Sequence, residues 1–349
     1  ILTNAGQQAA LAELEALAEG VQTPLQRLEH ALHPWVAFGI VPLGHVLGEG
    51  EMAARHAVAD MGHELCFDPA RTAVGIVKLT GEGLEVVDDP EVSIIVELMG
   101  GYEPARTFVL RALANGKHVV TANKALIARH GNEIFAAASA ARMMVGFEAA
   151  VAGGIPIIKA IREGLAGNRL EWVAGIINGT ANYILTEMRD KGRDFPDALA
   201  EAQALGYAEA DPTFDIEGID AAHKLTILAS IAFGIPLQFD KVYIEGIGCI
   251  TRDDVAYADQ LGYRIKHLGI AHRSERGAQL RVHPTLIPQR QLLASVDGVM
   301  NAVLVKGDAV GQSLFYGAGA GAEPTASAVV ADIIDVVRTL TADPENRVP

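Results

Sequence analysis

The apolar residues of this chain fall into two patterns that trade places along its length. One is the short unbroken run of strand length; the other recurs every third or fourth position, as on one face of a helix. Residues 1–32 follow the helical pattern, with Leu11, Leu14, Leu17 and Ala18 at that spacing. WVAFGIV (35–41) is a strand-like run, and the glycine-rich PLGHVLGEG (42–50) leads from it into the helix-like EMAARHAVADMG. SIIVELMGG (93–101) is continuous in Val, Ile and Leu, as a parallel strand covered on both faces should be. A helix over 103–114 follows, closed by the C-cap pair Asn115-Gly116, and then HVVTANK (118–124), a second buried strand whose end turns polar. This β–α–β succession predicts an α/β fold with a doubly wound parallel sheet, whose ligands sit at the carboxyl ends of its strands.

From about residue 146 the style changes. WVAGIING (172–179) and later β-type runs, ending near NAVLVKGDAV (301–310), alternate with helices expected over 196–205 and 217–233. This second unit reads as α+β. The final GAGAGAEPTASAVVADIIDVVRTL (317–340) is a glycine loop running into a helix, expected to return to the first unit.

Composition narrows the picture only a little. Half of the residues are apolar and 36 are glycine, which suits an α/β protein with many tight turns. No apolar stretch reaches the roughly 18 residues a membrane span needs, and no secretory pattern opens the chain, so neither membrane nor export is expected. Two cysteines, Cys66 and Cys249, offer no metal-ligand spacing and no disulfide framework, which favours a reducing cytoplasm. The net charge of −15 argues against nucleic acid as a partner, since such binding needs concentrated Lys and Arg. It does not exclude an anionic cofactor, because glycine loops and helix N-termini bind phosphate locally.

Four segments carry candidate chemistry. A dinucleotide loop reads G-x-G-x-x-G; the best alignment here sets Pro42, Gly44 and Leu47 at those places, with only Gly44 in register. A phosphate site and an ordinary strand-turn-helix connection both fit. The segment 205–224 concentrates Glu209, Asp211, Asp215, Glu217 and Asp220 ahead of Lys224. Asp220 and Lys224 are four apart on an expected helix and share a face. A lysine held beside carboxylates can protonate a developing alkoxide, and the carboxylates can bind an ammonium group; a salt-bridged, solvated helix start is the competing reading. Lys124, in TANK at the ligand-binding edge of the sheet, is a second cation that is either functional or surface. FEAAVAGGIPI (147–157) pairs one carboxylate with small residues and open carbonyls, suiting either a hard cation or a plain domain-linking turn.

Taken together and in order, VELMGGYEPA (96–105), VVTANKALIA (119–128), FEAAVAGGIPI, GIINGTANYIL (175–185), LGYAEADPTFDIEGIDAAHKLTILA (205–229), RVHPTLIP (281–288) and GDAVGQSLFYGAGAGAEPTASAVVADI (307–333) resemble homoserine dehydrogenase. The resemblance covers roughly residues 90–340. It implies a Rossmann-like dinucleotide-binding domain over 1–150, with the 311–349 helix packed back on it, and a substrate-binding and dimerisation domain over 151–310. It implies reduction of L-aspartate 4-semialdehyde to L-homoserine with NAD or NADP, on the route to threonine and methionine. By motif position, Lys224 would be the proton donor, and Glu209, Asp220 and Asp215 would hold the substrate. Lys124 would line the junction of nicotinamide and substrate, and Gly44, Gly206 and Gly321 would let backbone approach the cofactor. Glu148, with the carbonyls of Val151, Gly153 and Ile155, would match a monovalent-cation site, commonly sodium. A homodimer or homotetramer is implied as well.

Two departures stand out. Residues 1–90 match the family poorly, and no ACT regulatory domain is expected after the last helix. A non-catalytic relative that binds metabolite or partner, and an oxidoreductase for another amino-acid semialdehyde, are the alternatives.

Overall fold

A computed structural model of the chain describes residues 37–41 and 83–341. The opening helical stretch, the 42–50 turn with Gly44, and Cys66 lie outside the described residues.

Strand β1 (Ala37–Val41) pairs in parallel with β2 (Val92–Glu97), β2 with β3 (His118–Thr121), and β3 with the short β4 (Val145–Gly146). Helix α1 (Gly83–Asp88) leads into β2, α2 (Ala105–Ala114) joins β2 to β3, and α3 (Lys124–Ala141) joins β3 to β4. Alternation along β2 and β3 assigns the two faces. Ile95 and Val119 pack with Val109, Leu113, Leu126 and Ile127 of α2 and α3. Ile94, Val96 and Val120 point the other way, onto Val329, Val336 and Val337 of the C-terminal helix Ala322–Thr341. The unbroken apolar runs have this cause: the apolar residues on both faces of the strands meet helices. Ile94 and Ile95 are fully buried, and truncating either to Ala would cost about 2–5 kcal/mol.

The second sheet has six strands, β5 (Leu170–Ile176), β6 (Tyr243–Ile244), β7 (Tyr263–Ser274), β8 (Gly277–Pro288), β9 (Met300–Gly307) and β10 (Gly311–Ala318), in the order β10-β9-β5-β7-β8-β6. It is antiparallel except for β6 against β8. Helix α4 (Ile157–Lys159) precedes β5; α5 (Gly179–Lys191), α6 (Phe195–Ala204), α7 (Thr213–Ile216) and α8 (Ile219–Phe233) lie between β5 and β6 in the chain, α9 (Arg252–Gln260) lies between β6 and β7, and the C-terminal helix is α10. The fold is thus α/β, a parallel sheet joined to a mixed six-stranded one.

Helix α8 holds the centre. It touches α3 on one side and β5, β7 and β8 on the other, so it is buried nearly all round, including Asp220 and Lys224. It begins at Ile219 rather than 217 because Gly218, at φ 82°, breaks the helical path between α7 and α8. A Cβ on Gly218 would come within 2.9 Å of His267 and 3.1 Å of Val282, so glycine there lets the helix start settle onto β7 and β8. Among the described residues, no helix is long and apolar enough to cross a membrane.

Candidate active site

Lys124 is the first residue of α3, following the N-cap Asn123, whose side chain accepts the Leu126 N–H at 3.0 Å. Strand β3 therefore ends at Thr121, and Lys124 stands at the helix N-terminus just past the sheet's carboxyl edge. Asp220 and Lys224 lie one turn apart on α8, as their spacing predicts. Because α3 and α8 are in contact, the two lysines meet on one carboxylate: Lys124 Nζ lies 2.9 Å from Asp220 Oδ1, and Lys224 Nζ lies 2.7 Å from Oδ2. Lys224 Nζ also donates to the Ile177 carbonyl at 2.8 Å.

Asn178, which follows β5 and caps α5, was not singled out from the sequence. Its Nδ2 donates to Asp220 Oδ2 at 2.8 Å and to Asp215 Oδ1 at 2.7 Å, tying the two acids together. Its only sequence trace is a polar residue closing a buried strand in GIINGT. With Lys124, Lys224 and Asn178 all upon it, the Asp220 carboxylate is 2% exposed and held between the two lysines. Asp215 is half-buried and Glu209 exposed. Asp211 and Glu217 stand apart from the cluster: Asp211 accepts the Thr213 N–H, and the Glu217 carboxylate lies against Gly246 and Gly248.

The electrostatics divide the two lysines. Asp220, helped by Asp215 and Glu209, raises the pKa of Lys124 against the cost of burial. Burial, with Lys124 adding repulsion, lowers that of Lys224 despite Asp220. Burial alone would raise the pKa of Asp220, but the two ammonium groups hold it well below the ordinary carboxylate range. Asp215 is pushed up by burial and by the Asp220 charge. The arrangement is one lysine whose pKa is pushed up and one whose pKa is pushed down, held 2.9 and 2.7 Å from a single carboxylate.

Gly100 and Gly101 follow β2 at φ 75° and 69°, and among the described residues a Cβ on either would meet no atom within 4 Å. Gly206 (φ 73°) closes α6 and Gly321 (φ 125°) opens α10; both are exposed.

At 147–155 the Glu148 carboxylate faces inward and accepts the N–H groups of Ile158 and Lys159, both at 2.8 Å, as the cap of α4. Its side chain is thereby committed, leaving its carbonyl as the oxygen on offer. The Glu148 and Ile155 carbonyls each accept one backbone N–H, from Val151 and Ile157. Those of Val151 and Gly153 accept none among the described residues. Gly153, at φ 26°, lies so close to the 317–321 loop that a Cβ would sit 2.9 Å from the Gly319 carbonyl. Such spare neutral oxygens fit a monovalent cation better than a carboxylate cage. Among the described residues no cluster of His, Cys, Asp or Glu could hold a metal ion.

The homoserine dehydrogenase family model matches residues 156–334, and that of the homoserine dehydrogenase NAD binding domain matches 56–148. The chain belongs to the homoserine dehydrogenase family. It is 71% identical to the homoserine dehydrogenase of Pseudomonas aeruginosa over 79% of its own length and 63% of that protein's. It is 58% identical to that of Neisseria gonorrhoeae over 82% of its own length and 66% of that protein's. The chain thus spans just under two thirds of each of these relatives. Among solved structures, a homoserine dehydrogenase from Thiobacillus denitrificans superposes with a TM-score of 0.78 at 63% identity, over 90% of this chain and 76% of that one. A hyperthermophilic archaeal homoserine dehydrogenase in complex with NADPH superposes with a TM-score of 0.70 at 25% identity, over 88% of this chain and 98% of that one. The homoserine dehydrogenase motifs quoted from the sequence thus supply the residues that converge here, Lys124, Asp215, Asp220 and Lys224.

Proposed function

We propose that the chain reduces L-aspartate 4-semialdehyde to L-homoserine with a nicotinamide dinucleotide, NADPH or NADH. The observation that carries this reading is the meeting of Lys124 and Lys224 on Asp220 at the carboxyl edge of the parallel sheet. Bound there, a dihydronicotinamide supplies the hydride that converts the aldehyde carbon to an alcohol. Residues 1–150 form the dinucleotide-binding domain, with Gly44, Gly206, Gly321 and Lys124 approaching the cofactor. Residues 151–310 form the substrate and dimerisation domain of a homodimer or homotetramer.

As charge builds on the carbonyl oxygen, the Lys224 ammonium stabilises it and delivers a proton. Its lowered pKa suits this task, because burial and Lys124 both favour release of that proton. Asp220 holds Lys224 in place from one turn away, and the Ile177 carbonyl fixes the direction of the ammonium. Lys124 remains charged throughout and steadies the developing alkoxide. Asp215 and Glu209 take the substrate's α-ammonium. The carbonyls of Glu148, Val151, Gly153 and Ile155 hold a monovalent cation, probed with sodium, that ties the 147–155 turn to the 317–321 loop.

The test is an assay of the 349-residue chain with L-aspartate 4-semialdehyde and each dinucleotide, with homoserine identified in the products. Dinucleotide oxidation with homoserine formation is expected. Oxidation yielding a different alcohol from another semialdehyde alone would favour a relative of altered specificity.

A further inference from the structure

Glu97 ends β2 as a buried carboxylate, 1% exposed, in a place where the lysine chemistry makes no use of it. Its Oε1 accepts the Met99 N–H at 2.7 Å and its Oε2 accepts the Thr121 hydroxyl at 2.6 Å. The Thr121 oxygen in turn accepts the Asn123 N–H at 3.0 Å. Asn123 then faces three ways: its Nδ2 lies 3.5 Å from Glu97 Oε1 and donates to the Gly101 carbonyl at 2.8 Å, while its Oδ1 caps α3 at Leu126. One carboxylate therefore joins the turn after β2 to the turn after β3, and through Asn123 it sets the first turn of the helix that begins with Lys124.

A carboxylate is expensive to bury, and an apolar residue closing β2 would avoid that cost. Burial pushes the Glu97 carboxyl up, and the hydrogen bonds from Thr121 and Met99 pull it back only in part; those donors belong to the two turns, so what the group secures is their mutual position. Threonine at 121 serves the same end, since its hydroxyl can give one hydrogen bond and accept another at once.

We propose that Glu97 is a positioning residue for Lys124: by clamping the 98–101 and 121–124 turns together it fixes where the Lys124 ammonium stands against Asp220. The kinetic consequence rests on the function proposed above; the geometric one does not.

The test uses Glu97→Ala, Thr121→Val and Glu97→Gln in the full chain. Glutamine can still accept from Met99 and can donate to the Thr121 oxygen, so it should behave as wild type. Thr121→Val removes one hydroxyl at constant shape and carries the test should Glu97→Ala fail to fold. The first readout is competitive acetylation with acetic anhydride, followed by peptide mass spectrometry. Lys306 is the internal reference, being 40% exposed and paired with Glu171 at 2.7 Å, against 38% for Lys124. Loosening the turn weakens the Lys124–Asp220 pair and frees more neutral amine. Modification of Lys124 relative to Lys306 should rise about fivefold in Thr121→Val and Glu97→Ala and stay near wild type in Glu97→Gln. An unchanged ratio in both disrupting variants overturns the proposal.

The second readout is kcat. A loss of about tenfold in Thr121→Val should vanish when Lys124 is already Ala, because the two changes act through one group. An equal loss in both backgrounds also overturns it. Should wild type show no turnover, the function reading fails while the acetylation ratio still decides the role of Glu97.

Discussion

Replacing Asp220 by Asn keeps the shape of the side chain and removes the charge on which the site is organised. With the lysines 2.9 and 2.7 Å away, Coulomb's law at an effective dielectric of about 20 gives about 6 kcal/mol for each pair. The amide oxygen returns part of that, and removing one partner of a buried ion pair costs about 3–5 kcal/mol in practice. Because about 1.4 kcal/mol is one tenfold step in proton affinity, a loss of about 3 kcal/mol at Lys224 takes its pKa down by roughly two. Lys224 begins below the usual lysine value through burial, and Asp220 is the largest influence holding it up. A lysine of lower pKa loses its proton sooner as pH rises, so the proton-donating form is depleted from the alkaline side. In Asp220→Asn the alkaline limb of the reduction rate should move down by about two pH values, with activity best preserved at acid pH. The assay is an initial-rate pH profile followed by nicotinamide absorbance, with a thermal melt at each pH to confirm folding. A folded Asp220→Asn variant whose alkaline limb coincides with that of wild type would refute the reasoning.

Other consequences are simpler to test. Asn178→Ala removes the donor shared by Asp215 and Asp220, so saturation kinetics should show KM for the aldehyde rising about tenfold; an unchanged KM contradicts its role. His223 is 1% exposed, lies between Phe214 and Phe239, and is held down at about 4 by burial. A histidine whose folded pKa is depressed stabilises the fold above its ordinary value of about 6.5, and that contribution drains away as pH falls toward 4. Chemical denaturation of His223→Leu should therefore show a shallower loss between these pH values, by at most about 3 kcal/mol; parallel curves would count against it. Glu148→Ala removes the cap of α4 and should cost about 1–2 kcal/mol in a thermal melt, while sodium dependence survives because the carbonyl remains. Loss of sodium dependence at unchanged stability would show that the carboxylate is the ligand.

Much of the fold could be read directly. The unbroken runs at 93–97 and 118–121 are buried on both faces by α2, α3 and α10, and a continuous apolar pattern is what two-sided burial demands. The pairing of Asp220 with Lys224 was legible too, because spacing of four on a helix fixes proximity whatever surrounds it. The convergence of Lys124 was not, since it depends on α3 packing against α8 across about a hundred residues of chain. Asn178 and Glu97 were missed for a related reason: a polar residue closing an apolar strand looks like any strand end until its partners are known. That the Glu148 carboxylate caps α4 also needed coordinates, because nothing in FEAAVAGGIPI tells which way that side chain turns. The homoserine dehydrogenase motifs located Lys124, Asp220, Lys224 and Glu148, and the structure supplied their partners.

The most direct test of Lys224 as proton donor is single-turnover reduction of L-aspartate 4-semialdehyde by Lys224→Ala, with dinucleotide affinity measured on the same sample by fluorescence. Loss of the donor should lower the rate by about a hundredfold or more while leaving dinucleotide affinity within about twofold of wild type. A near-normal rate in a folded Lys224→Ala protein would contradict the assignment.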